Sequence, residues 1–233
     1  MIGLGTIINA AAILLGGILG LLFGKLLKAD MQKILVSACG LSVIFIGAEG
    51  CLTRLPLSEY GGLVIIVCLC LGGLIGELIG IERGTEKLGE WLKIKFKSEK
   101  DNGFVDGFVS TSITVCVGAM AIIGPMNDAL YGDISILLAK SILDCVMLFA
   151  MTSSLGKGCI FSLIPCVVIQ GFFTLFAKLI QPVLTDAALF DLSMVGNVLI
   201  FCVGINLVFG KKIKTANFLP AVVLAVVAGL IGF

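Results

Sequence analysis

Apolar runs long enough to cross a bilayer recur along almost the whole chain, and nothing else in the sequence limits its fold so strongly. A helix that spans the hydrocarbon core needs about 20 mostly apolar residues. Stretches of that kind occur at 2–24, 33–52, 61–80, 105–123, 134–155, 159–181, 193–210 and 216–233, the fourth and eighth being the least clearly marked. The expected fold class is an all-α integral membrane protein of about eight transmembrane helices. Of 233 residues, 59% are hydrophobic and 13% charged, a balance that a water-soluble domain could not carry on its surface. The whole of 1–233 reads as a single transmembrane domain.

Charge placement sets the expected orientation. Sixteen basic residues nearly cancel fifteen acidic ones, so no global field points to nucleic acid or to an acidic substrate. With the N-terminus outside, the inner connections hold Lys25, Lys28 and Lys33; then Arg83, Lys87, Lys93, Lys95, Lys97 and Lys100; then Lys157; then Lys211, Lys212 and Lys214. Basic residues favour the cytoplasmic side, and this arrangement puts thirteen of the sixteen there. Arg54 and Lys178 fall at outer ends and Lys140 within a helix. Both termini are therefore expected outside and, in a bacterium, the location is the inner membrane. Met1 to Leu22 carries no charged side chain, so it lacks the basic start of a secretory signal and reads as a first transmembrane helix. The inner loop at 81–104 sets both charge signs around Leu88, Trp91, Leu92, Ile94 and Phe96. A solvated linker helix and an amphipathic helix on the membrane surface both fit that pattern.

The chain also resembles itself. Residues 5–27 align without gaps to 158–180, matching Gly5 with Gly158, Ile7 with Ile160, Phe23 with Phe176 and Lys25 with Lys178. At a slightly larger offset Gly40, Ile44 and Phe45 match Gly196, Ile200 and Phe201, and the run from Gly73 to Gly76 matches Gly229 to Gly232. This divides the chain into repeat unit A at 1–80, the loop at 81–104, central helices at 105–155 and repeat unit B at 156–233. Helices 1–3 then correspond to helices 6–8 with helices 4–5 between them. Five crossings separate the two starts, so the units face opposite ways. Inverted repeats of this sort are typical of secondary transporters, whose substrate site lies near the midplane between the repeats, although channels carry them too.

Polar residues in the apolar runs mark the candidate site. Lys140 and Asp144 lie four apart on the fifth expected helix and can pair on one face, with Ser141 beside them. A charge at the bilayer centre costs about 2.5 to 3.5 kcal/mol on insertion scales, so pairing, protonation or contact with a wet cavity is expected. An ion pair that locks the bundle, an anion site at Lys140 and proton coupling through Asp144 are all open readings. The fourth helix offers Ser110, Thr111, Ser112 and Thr114, then a break expected at Gly124-Pro125 beside Asn127 and Asp128. A helix interrupted at membrane depth presents backbone groups to ions or solutes. Asn9, Gln170 and Asn206 sit in other apolar helices, where interhelical hydrogen bonding explains each, with Gln170 nearest the midplane. Glu49 and Glu77 lie toward helix ends, where snorkelling or capping suffices. Gly16, Gly20 and Gly24 form one glycine stripe, and Gly72, Gly76 and Gly80 a second. Both are surfaces for close helix packing.

Several chemistries are set aside. With no histidine, Ser-His-Asp and HExxH sites are excluded, and no Walker A, Rossmann or zinc-cysteine pattern is present. The nine cysteines lie in or beside apolar runs without CxxC spacing and read as small packing residues. No enzyme activity, cofactor or metal is expected.

The stretches GTIINAAAILLGG (5–17), GLSVIFIGAEG (40–50), CVGAMAIIG (116–124), KSILD (140–144), QG (170–171) and LPA (219–221) together resemble the YqgA/YdfK type of bacterial multi-pass membrane protein. The likeness runs from near residue 3 to near residue 230. It implies an inner-membrane protein and supplies no substrate or mechanism. The leading expectation is a small secondary transporter of a small, anionic solute, with or without protons. Lys140, Ser141, Asp144, Ser112, Thr114, Asn127, Asp128, Gln170, Asn9 and Asn206 are its candidate ligands. A channel or pore and a non-transporting scaffold or regulator are the alternatives. The expected partners are the lipid bilayer, a small solute or ion and a second copy of the chain as a homodimer, with no nucleic acid.

Overall fold

The computed structural model describes residues 2–24, 26, 28–98, 102–116, 120–181 and 185–231. Lys25, Lys100, Gly232 and the Val117, Gly118 and Ala119 portion of the 116–124 stretch lie outside the described residues. Every regular element among the described residues is helical: α1 (Leu4–Gly24), α2 (Ala29–Leu52), α3 (Gly61–Ile79), α4 (Ile81–Lys95), α5 (Phe104–Cys116), α6 (Met120–Tyr131), α7 (Ser135–Leu155), α8 (Leu163–Leu175), α9 (Ala177–Ile180), α10 (Asp186–Phe209) and α11 (Leu219–Ile231). Short 3-10 turns precede α3, α8 and α11.

Among the described residues, six stretches are long and apolar enough to cross a membrane: Leu4–Gly24, Gly40–Leu57, Gly61–Ile79, Ser135–Leu155, Lys157–Leu175 and Asp186–Phe209. The fourth expected span is two helices, α5 and α6, bent by 54° at a short break. The last apolar stretch, Thr215–Ile231, is shorter than a span. Large apolar side chains such as Phe45, Ile66, Leu78 and Leu175 stand exposed along these helices. So much outward apolar surface is stable only in lipid.

The break departs from the expectation at Gly124-Pro125. α6 runs through Pro125, and the described residues of α5 end at Cys116 and those of α6 begin at Met120. Pro125 is the sixth residue of α6, so its missing N–H leaves one intrahelical acceptor, the Ala121 carbonyl, without its usual donor while the helix continues.

The described residues form two compact units. The first comprises Met1–Cys39, Thr85–Cys116 and Met120–Lys178, and so contains α1 and α5 to α8. Its seam is the α1 glycine stripe. Gly16 lies against the Cys145 backbone, Gly20 against the Phe149 carbonyl and Thr152, and Gly24 against the Ser153 backbone, so a Cβ at any of them would collide with α7. The two helices run parallel, Gly5 meeting Leu137 at the start of the same seam. Against α8 and the turn before it, α1 runs antiparallel: Gly3 is next to Thr174, Asn9 bonds Cys166, and Gly17 meets Ile160. Farther along α5, Gly107 packs on Cys159, and Phe161 stacks between Phe96 and Phe104 at centroid distances of 4.5 and 5.3 Å.

The second unit holds Gly40–Gly84 and Leu179–Phe233. Its core is Val64, Cys68, Met194, Val195, Ala221 and Ala225. Gly72 meets the Ala221 backbone and Gly76 the Asn217 carbonyl, so α3 and α11 are antiparallel with almost nothing between their backbones. Gly80, the third member of that expected stripe, has open space beside it and a left-handed φ of 75°, and it ends α3 as a C-cap. Gly47 and Gly50 of α2 admit Phe201 and Asn197 of α10.

The expected amphipathic segment forms α4, which buries Leu92 and exposes Leu88, Trp91 and Ile94, with Phe96 exposed just beyond it. The Lys95 ammonium stands 4.4 Å from the Trp91 ring.

Candidate functional site: a polar cluster at a broken helix

Asn9 is fully buried on the face of α1 that carries Thr6 and Ile13, because positions three and four apart on a helix share a face. Its amide Nδ2 donates to Asp144 Oδ2 at 3.1 Å and to Cys166 Sγ at 3.5 Å. Lys140 Nζ sits 3.0 Å from Asp144 Oδ1 and 2.8 Å from Oδ2. The i,i+4 spacing thus makes the expected ion pair, and both partners are buried. Cys116 at the end of α5 lies beside Cys166. Side chains from α1, α5, α7 and α8 therefore converge beside the break in the α5/α6 segment.

The cluster extends toward the start of α1. Asp128 of α6 is 1% exposed, and its Oδ2 accepts from the Gly5 N–H at 2.9 Å. A carboxylate from another helix thereby caps α1, where the helix dipole favours negative charge. Gln170 follows Cys166 by one turn of α8 and is 1% exposed. In the antiparallel register fixed by Gly3 with Thr174 and Asn9 with Cys166, Gln170 falls opposite Thr6.

The cluster is incompletely bonded. Thr6 Oγ1, Asn9 Oδ1, Asp128 Oδ1 and both amide atoms of Gln170 are buried without a hydrogen-bond partner, as are Ser112 Oγ of α5 and Thr152 Oγ1 of α7. Buried polar atoms are nearly always satisfied, so such a group needs an explanation. Each costs about 1 to 3 kcal/mol if nothing meets it.

The other candidates are placed differently. Ser141 Oγ donates to the Leu137 carbonyl and Thr114 Oγ1 to the Ser110 carbonyl, both within their own helices. Asn127 is half-buried, and its carbonyl accepts from the Asp133 N–H. Asn206 belongs to the second unit, where Nδ2 donates to the Ile213 carbonyl and Oδ1 accepts from the N–H groups of Lys212 and Ile213. It closes the loop before α11. Thr6, Cys116 and Cys166 are the members that sequence reading missed. The available signal was spacing, three residues from Thr6 to Asn9 and four from Cys166 to Gln170.

A polar network also ties the α3/α4 corner to the turn before α11. Glu82, buried, accepts from Ala216 N–H at 2.9 Å and pairs with Lys211 at 3.0 Å, while its own N–H donates to Asn217 Oδ1 at 2.7 Å. Asn217 Nδ2 donates to Glu77 Oε2 at 2.6 Å, and Glu77 pairs with Lys214 at 2.8 Å. Glu77 is thus a helix-end carboxylate with local partners, as its position suggests.

Known proteins of the same type carry this chain's pattern from end to end. A family model described as "Protein of unknown function (DUF554)" matches residues 4–230. The "Uncharacterized membrane protein YdfK" of Bacillus subtilis (strain 168) is 31% identical over 220 residues, covering 94% of this chain and 93% of the relative. The "Uncharacterized protein YqgA" of Escherichia coli (strain K12) is 32% identical over 229 residues, covering 95% and 94%. No solved structure matches. The chain belongs to the DUF554 family of multi-pass membrane proteins.

Proposed function

We propose that the chain is a small secondary transporter, without enzyme activity, that carries a small solute across the bacterial inner membrane. The observation that carries this reading is the charged, buried and incompletely bonded cluster of Asn9, Asp128, Lys140, Asp144 and Gln170 beside an interrupted helix. Polar groups are costly at membrane depth and mark substrate or ion pathways. Discontinuous helices with exposed ends are how many carriers hold their cargo.

The internal repeat adds support. α1 and α8, α2 and α10, and α3 and α11 are the three pairs that the self-alignment equates, and each pair packs antiparallel. The α2 contact is centred on 44–47 against 201–204, next to the matched residues Ile44, Phe45, Ile200 and Phe201. Antiparallel packing about equivalent positions is what an inverted duplication requires. On this reading α5/α6 is the fourth span and 215–231 a short eighth, giving both termini outside and the basic loops inside. A homodimer is the proposed assembly.

The solute need not be a simple anion. Both hydrogen-bonding contacts of the Lys140 ammonium go to Asp144, and Asp128 leaves the buried group acidic, so a solute bearing a cationic group or accompanied by a cation suits it better. The test is flux. Purified protein in liposomes should accumulate a solute found by ligand-dependent thermal stabilisation, and Lys140→Met and Asp144→Asn should abolish uptake. Folded variants that transport normally would sink the proposal. The close Lys140–Asp144 pair favours one second reading, a scaffold in which the pair pins α7. That reading expects no ligand and a loss of stability alone.

A further inference from the structure

Six of the seven orphaned side-chain atoms among the described residues are oxygens, and four of the six belong to residues on α1, α6 and α8. Thr6 Oγ1, Asn9 Oδ1 and Asp128 Oδ1 are oxygens, and Gln170 contributes Oε1. All four residues are at least nine-tenths buried. The orientation of Asn9 is set by its Nδ2, which bonds Asp144 and Cys166 and so turns Oδ1 away from both. Asp128 is held by Oδ2 on Gly5 N–H, which leaves Oδ1 for another partner. Gly5 and Thr6 are adjacent in the chain, Asn9 is one turn on along the same face, and Gln170 stands opposite Thr6 in the antiparallel α1/α8 register. α6 supplies Asp128 at that same end of α1.

Charge narrows the occupant. The buried ionisable groups here are Lys140, Asp144 and Asp128. Lys140 and Asp144 neutralise each other at 2.8 Å, so Asp128 is offset only by the positive end of α1. One monovalent cation restores balance, and a divalent ion would leave an excess charge in a low-dielectric site. Oxygen ligands with a single carboxylate suit a hard cation rather than a thiolate- or imidazole-seeking metal.

We propose that Thr6, Asn9, Asp128 and Gln170 bind an alkali-metal cation, sodium in the first instance. The site deepens the carrier reading by supplying a coupling ion, and it rests on that reading only for the coupling role. Binding itself requires no transport.

The experiment measures thermal unfolding of the detergent-purified full chain in NaCl, LiCl, KCl and choline chloride at equal ionic strength, with equilibrium binding of radioactive sodium as a second readout. Sodium should raise the midpoint saturably above choline, by mass action on the folded state. Asp128→Asn retains an oxygen for the Gly5 N–H but removes the charge, and it should abolish the rise. Thr6→Val and Gln170→Leu should each weaken sodium binding tenfold or more. These two milder variants decide the matter if Asp128→Asn does not fold. Lys214→Ala, in the second unit, should respond as the parent. Equal midpoints in all four salts, or a parent-like sodium response in the variants, would overturn the site and leave water or a proton as what satisfies these atoms. Sodium binding without flux would keep the site and remove the carrier, whereas solute flux indifferent to sodium would keep the carrier and remove the coupling role.

Discussion

Each unit contains a polar cluster with buried members, and the two are built on opposite terms. In the second unit, Glu82, Asn217 and Glu77 have their bonds met by one another, by the Ala216 backbone and by Lys211 and Lys214. In the first, Asn9, Asp128, Thr6 and Gln170 are all buried and leave polar atoms unmet. A satisfied network fixes a corner of the fold, while an unsatisfied one carries a standing cost unless a ligand or water meets it. The contrast separates polar residues that hold this molecule together from those that serve something else.

Five substitutions, one of them made only in combination, test that contrast. Lys140→Met strands Asp144 with only Asn9 as a partner, and loss of one member of a buried pair should cost about 3 to 5 kcal/mol in detergent unfolding. Lys140→Met combined with Asp144→Asn should recover more than half of the loss. Equal losses in the single and double variants would mean that the pair is not an electrostatic unit. Next, Glu82→Ala strands the Ala216 N–H and should cost about 1 to 3 kcal/mol with no effect on ligand or ion binding, and an altered binding curve would blur the distinction between the clusters. Lys214→Ala removes a half-exposed pair and should change stability by less than about 1 kcal/mol, less still in high salt. Smallest of all, Gln170→Leu removes two atoms that have no partner, so stability should stay within about 1 kcal/mol of the parent or rise while sodium binding weakens. A loss of 2 kcal/mol or more would show that the Gln170 amide is structurally bonded.

Much of this was legible from local pattern. Apolar runs located the helices, the i,i+4 spacing of Lys140 and Asp144 gave their pairing, and the stripe at Gly16, Gly20 and Gly24 foretold a backbone seam. The unread parts depend on contacts far apart in sequence. Asp128 caps Gly5 from 123 residues away, and Asn9 reaches Cys166 across 157. No spacing rule announces such pairs, and cysteine in an apolar helix looks like packing until its neighbour is known. The break was misplaced because proline is the stronger local signal, yet α6 continues through Pro125.

The cap on α1 has a mechanical consequence. One carboxylate belongs to two structures: through Oδ2 it terminates α1, and through Oδ1 it remains available within the polar cluster. Neutralising or displacing Asp128 at one oxygen weakens its grip at the other. With the proposed cation at Oδ1, the first turn of α1 would be tethered by a fastener whose strength depends on occupancy, and the α1/α7 seam, closed by glycines and pinned by the Asn9–Asp144 bond and the Phe23–Phe149 ring contact, would carry that tether along the helix.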